Sequence, residues 1–175
     1  MFRSNLFTIP YWMESKCNHW EDKKTQITNI LEAFPEDKKP GQNFSTNRQY
    51  NREGLASGFM NIFNEEIIKF QADIQKEIKV TDIWSVTYEK DDFHIPHNHG
   101  SIGFCGIVYL DFEKDSPNTF YMQPWNNFYT DMTDINFLRV SEGTMIIVPK
   151  FIKHYTVPNF ENKKKRILSF DIITR

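Results

Sequence analysis

Three of the chain's five histidines fall within six positions, His94, His97 and His99. His97 and His99 are two residues apart. On an extended chain, side chains at i and i+2 project to one face, roughly 6–7 Å apart at the backbone. Two imidazoles so placed can converge on one metal ion at about 2.0–2.2 Å. A third ligand must come from elsewhere, and His154 is the only late histidine. It closes a Gly-x5-Pro-x4-His stretch, Gly143 to His154, just after an apolar run. A His-x-His pair is a weak signal alone; matched by this second stretch it reads as a metal site. His19 reads as a surface residue, and His94 as a turn histidine, an outer partner of the pair or an alternate ligand. Imidazoles at an open site suit Fe(II), with Zn, Mn and Ni chemically compatible. A non-haem Fe(II) site commonly has two His and one carboxylate. The position for that carboxylate, two after His97, holds His99. Asp91, Asp92 and Asp111 are the nearby substitutes, although the first two also suit an exposed turn.

The elements that must position these groups change character midway. Ile27, Ile30, Leu31 and Phe34 recur at helical spacing, predicting a helix from about Asp22 to Phe34, stopped by Pro35. Phe59, Phe63, Ile67, Phe70, Ile74 and Ile78 predict a second from about Ser57 to Lys79, with Glu65 and Glu66 largely outside the stripe. A polar link, Gly41 to Arg52, joins them. From Asp82 the period becomes two. Strands are expected at 83–88, 102–112, 118–122, 137–140, 144–148, 155–158 and 165–173. Turn signals separate them, at 115–118, Trp125-Asn126-Asn127 and 141–143. Cys105 reads as a small apolar core residue. This pattern predicts a mainly β jelly roll with the helices on one outer face. One domain over 1–175 is expected, with helical support in 1–80 and the β core in 81–175.

Composition excludes several classes. Lys and Arg number 21 against 23 Asp and Glu, a net charge of -2, so there is no basic footprint for nucleic acid. No stretch approaches 18 apolar residues, so no membrane helix is expected. Met1–Asn5 does not open a signal peptide. Cys17 and Cys105, far apart, suggest no disulfide and a reducing compartment, the cytoplasm. Sixteen phenylalanines supply a core and would suit a homodimer.

At the histidines the sequence resembles the iron- and 2-oxoglutarate-dependent oxygenases, in particular the small oxygenases of marine bacteria and phages related to prolyl hydroxylases. The resemblance runs through Leu6-Phe7-Thr8-Ile9-Pro10, Ser45-Thr46-Asn47-Arg48, Trp84-Ser85-Val86, His97-Asn98-His99, Gly106 to Leu110, Pro149 to His154 and Ile167 to Asp171. It implies a double-stranded β-helix with iron at its open mouth, His97 as first ligand and His154 as the distal one. The family's acid is absent at 99. A three-histidine site is one outcome; weakened or lost activity is another. The resemblance also implies a base, roughly ten residues after the distal His, for the far carboxylate of 2-oxoglutarate. Lys165 and Arg166 stand 11 and 12 residues after His154 and face opposite sides of a strand. Alignment of Ser169-Phe170-Asp171 favours Lys165; the two-pronged guanidinium favours Arg166. Tyr109 could donate to the cosubstrate, and Trp125 and Phe128, with Tyr129, could line a substrate entrance. The implied activity is hydroxylation of an unidentified substrate with O2, releasing succinate and CO2. A cupin-type metalloenzyme without 2-oxoglutarate, and a non-catalytic jelly-roll protein, are the alternatives.

Overall fold

The computed structural model describes residues 8–49 and 54–175. Met1–Asn5, the Leu6-Phe7 of the opening motif and the 50–52 end of the polar link lie outside the described residues. The elements run β1 (Trp12–Glu14), α1 (Trp20–Leu31), β2 (Ser45–Thr46), α2 (Leu55–Ile74), β3 (Ile78–Tyr88), β4 (His94–His97), β5 (Phe104–Phe112), β6 (Thr119–Asn127), β7 (Met132–Phe137), β8 (Met145–Pro149), β9 (His154–Thr156) and β10 (Lys165–Thr174). Six strands form a major sheet in the order β1-β8-β5-β10-β3-β2, and four a minor sheet in the order β4-β9-β6-β7. All pairings are antiparallel. This is the mainly β architecture expected from the strand pattern, and the double-stranded β-helix that the resemblance implies.

Alternation along the central strands sorts the core into two layers. Val108, Leu110, Leu168, Phe170 and Ile172 face outward, against Ile27 and Leu31 of α1 and Phe59, Phe63 and Phe70 of α2. Trp84, Val86, Ile107, Tyr109 and Ile167 face the space between the sheets, with Cys105 buried among them. The helices thus cover one outer face of the major sheet. Close packing there explains Gly106: it sits opposite Phe170 in register, and a Cβ would fall inside the Phe170 ring.

Several boundaries differ from expectation. The second helix ends at Ile74, where Gln75 turns left-handed (φ 53), and Ile78 opens β3 instead. Residues four apart share a face under both periods, so the stripe alone could not mark the change. The boundary expected between residues 80 and 81 falls inside β3, and β1 and β2 join the major sheet from the N-terminal half. Glu66 is fully buried, not on the polar side, because Lys23 of α1 bonds both its oxygens at 2.7 Å. The strand expected at 137–140 is β7, Met132–Phe137, and the supposed turn Trp125-Asn126-Asn127 belongs to β6. The chain reverses at 128–131, with Asp131 at φ 53. Phe128 and Tyr129 lie in that turn, within the loop expected between the strands.

Candidate metal centre

His97 ends β4 and His154 begins β9, and the two are paired directly across the antiparallel ladder. Cross-strand partners approach closely, so sheet register alone brings together residues 57 positions apart. Their rings lie 4.5 Å apart between centroids. His99 lies just past β4, its backbone N–H donating to the Lys150 carbonyl at 3.0 Å. Its ring is 5.5 Å from His97 and 5.1 Å from His154. One ligand nitrogen from each of the three lies within 4.8 Å of the others. Small side-chain rotations would close that spacing on an ion about 2.1 Å from each nitrogen.

The second nitrogen of each ring is already committed. His97 Nδ1 is 2.9 Å from the Ile95 carbonyl, His154 Nδ1 is 3.1 Å from the Ile152 carbonyl, and His99 Nδ1 is 2.7 Å from Asp171 Oδ1. Two carbonyls and a carboxylate can only accept, so each Nδ1 carries the proton and donates. With Nδ1 so engaged, Nε2 is the nitrogen of each ring left to face a metal. Burial, then the neighbouring imidazoles, lowers His154 to about 3. Burial foremost also lowers His97. Neutral imidazoles with free Nε2 atoms are the form that ligates a metal.

Asp171, which contacts His99, is a residue of this cluster that the sequence reading did not single out. It stands inward on β10, and its other oxygen meets Lys150 Nζ at 3.3 Å. Burial opposes its ionisation, but His99 and Lys150 hold its carboxyl below the ordinary range. A histidine ligand oriented by a carboxylate is a recurrent metal-site arrangement. An acid flanked by Phe170 and Ile172 in a buried strand needs a buried partner, and that was the available signal. Asp171→Asn is expected to weaken divalent-metal affinity by about 10–100-fold, measured by calorimetry with Mn(II); unchanged affinity would remove its orienting role.

Of the three carboxylates considered beforehand, two are engaged elsewhere and the third sits in a turn. Asp111 pairs with Lys24 at 3.0 Å and Lys164 at 3.3 Å. Asp92 is buried and bonds Lys38 and the Glu89 N–H. Asp91 occupies a left-handed turn position (φ 66). Among the described residues, the group able to hold a metal is His97, His99 and His154. His94 stacks on His97 with centroids 3.8 Å apart and on Phe44 at 4.3 Å, beside the group.

The histidines line a cavity of about 550 Å³ between the sheets. The inner face of β10 runs from Asp171 past Ser169 and Ile167, both on the cavity wall, to Lys165. Lys165 is fully buried. Its Nζ donates to the Pro117 carbonyl (2.8 Å), Thr156 Oγ1 (3.1 Å) and Thr119 Oγ1 (3.3 Å), and both threonines line the cavity. It lies 4.8 Å from the Tyr88 ring centroid. None of these partners is an anion, and burial lowers Lys165 to about 7. Arg166 faces the other way and pairs with Glu36 at 2.8 Å. Tyr109 is buried and donates to Thr119 Oγ1 at 3.1 Å, one residue away from the wall. Trp125 and Phe128 are not on this wall: Trp125 lines a separate cleft with Phe151, and Phe128 is 85% exposed.

No family model matches the chain, and no curated protein matches it. Solved structures do. An oxidoreductase of the 2OG-Fe(II) oxygenase family from Burkholderia pseudomallei aligns with TM-score 0.73 at 14% identity, covering 98% of this chain and 93% of that one. HygX from Streptomyces hygroscopicus, solved with nickel and 2-oxoglutarate bound, aligns with TM-score 0.68 at 10% identity over 94% and 83%. A Pseudomonas putida prolyl-4-hydroxylase aligns with TM-score 0.65 at 10% identity over 96% and 94%. Strand order, the layered core and these alignments agree: the chain has the double-stranded β-helix fold that the 2-oxoglutarate- and iron-dependent oxygenases share.

Proposed function

We propose that the protein is an Fe(II)- and 2-oxoglutarate-dependent dioxygenase that hydroxylates its substrate and releases succinate and CO2. The observation that carries this reading is the tautomer lock: three imidazoles share one cavity, each with Nδ1 donating and Nε2 free. His97, His99 and His154 would hold the iron, and Lys165 would take the far carboxylate of 2-oxoglutarate. A fully buried ammonium whose contacts are all uncharged is costly until an anion meets it. When bound, the metal supplies the activation of O2. The chain orients the ligands through Asp171 and two backbone carbonyls, places a cation for the cosubstrate, and walls the site from water.

Calorimetry with Fe(II)-loaded protein under anaerobic conditions tests the reading. 2-Oxoglutarate is expected to bind one-to-one and to bind far more weakly without metal. Metal binding without 2-oxoglutarate binding would instead favour a cupin-type site, and binding of neither would favour a non-catalytic jelly roll.

A further inference from the structure

Among the described residues, no aspartate or glutamate lines the cavity. Arg48 does line it, with its guanidinium carbon 4.1 Å from the Trp84 ring centroid. Stacking on indole holds the guanidinium plane and leaves its N–H edge available to a carboxylate. Its ion pair with Asp82 is 3.9 Å long at Nε, beyond hydrogen-bond length.

Gln49, the next residue, lines the same cavity. Its Nε2 donates to the Thr46 carbonyl at 2.8 Å, which settles the orientation of the amide. Its Oε1 is buried and has no hydrogen-bond partner among the described residues. A buried acceptor left unpaired is costly unless a ligand donor meets it. The cavity wall therefore offers a cation and an unfilled acceptor side by side in the chain.

On the oxygenase reading above, we propose that the primary substrate is an organic acid. Its carboxylate pairs with Arg48, and a neighbouring N–H or O–H donates to Gln49. Lys165 serves the cosubstrate, so the two anions occupy separate cations.

The test uses Mn(II)-loaded protein saturated with 2-oxoglutarate without oxygen. Amino acids, hydroxy acids and N-acylamino acids are each titrated against the matching primary carboxamide, by calorimetry and thermal shift. At least one acid is expected to bind about tenfold or more tightly than its carboxamide, a difference of about 1.4 kcal/mol. Arg48→Gln should erase that preference, and Arg48→Lys should restore part of it, with Mn(II) and 2-oxoglutarate affinities kept in both. Carboxamides binding as well as acids, or no acid binding at millimolar concentration, would overturn the proposal. So would loss of 2-oxoglutarate affinity in Arg48→Gln, which would make Arg48 a cosubstrate ligand. Failure of the wild type to bind Mn(II) or 2-oxoglutarate shows before any acid is added and strikes the oxygenase reading itself.

Discussion

Replacing His154 by alanine is expected to abolish Fe(II) loading. His154 is 6% exposed and sits opposite His97 in the ladder, so its removal opens a gap inside the cluster. Asp171 is engaged by His99 and Lys150, Asp92 and Asp111 are held by lysines, and Asp91 sits in an exposed left-handed turn. Two imidazoles would remain where three are needed. The loss should exceed the roughly 10–100-fold effect of removing an outer partner of a ligand. His94→Phe is the contrast. It keeps the stacking on His97 and Phe44 and should load Fe(II) as the wild type does. Metal content after anaerobic reconstitution, with circular dichroism to verify folding, reads both variants. Normal loading of the His154→Ala protein would sink the metal assignment.

The second large effect belongs to Lys165. Lys165→Met should bind Fe(II) normally but lose 2-oxoglutarate. Removing one partner of a buried charge pair costs about 2–5 kcal/mol, so affinity should fall at least about 30-fold. Arg166→Gln should leave it unchanged, because Arg166 points to Glu36 on the other face. If neither change alters the 2-oxoglutarate requirement, the cosubstrate assignment fails.

Lys165 also sets a pH signature. Its folded pKa without ligand, about 7, lies below the ordinary 10.5 because of burial. Below pH 7 the folded and unfolded states are both protonated at this site. Between pH 7 and 10.5 the unfolded chain binds the extra proton, so ligand-free stability rises with pH through that window relative to Lys165→Met. Cosubstrate binding has the opposite trend. It needs the ammonium, so affinity should weaken above pH 7, by up to about tenfold per unit.

How much of this site was legible in advance differs residue by residue. His97 and His154 stood out because imidazole is uncommon and each followed a recognisable spacing. Trp125 and Phe128 were drawn to the entrance by their aromatic character. Their positions depend on where one hairpin turns, and Asn126 pairing with Thr133 places that turn at 128–131. Glu66 looked solvated because a helical stripe does not show that Lys23 arrives from another helix. Arg48 was visible in a motif, but its stacking on Trp84 was not.

The amino-acid order by itself determined the alternation of the strands, the inventory of imidazoles and the fact that Lys165 and Arg166 must face opposite ways. Local periodicity suffices for these, since a strand's two faces follow from backbone geometry alone. Only the tertiary structure decided which face is inside, because that depends on helices packed against the outer layer from residues more than a hundred positions away. It likewise decided that Asp171 holds His99 across 72 residues, and that every Nδ1 has an acceptor. A histidine's ligating nitrogen is set by what its other nitrogen touches. That partner is a matter of sheet register and chain crossing, which no local spacing encodes.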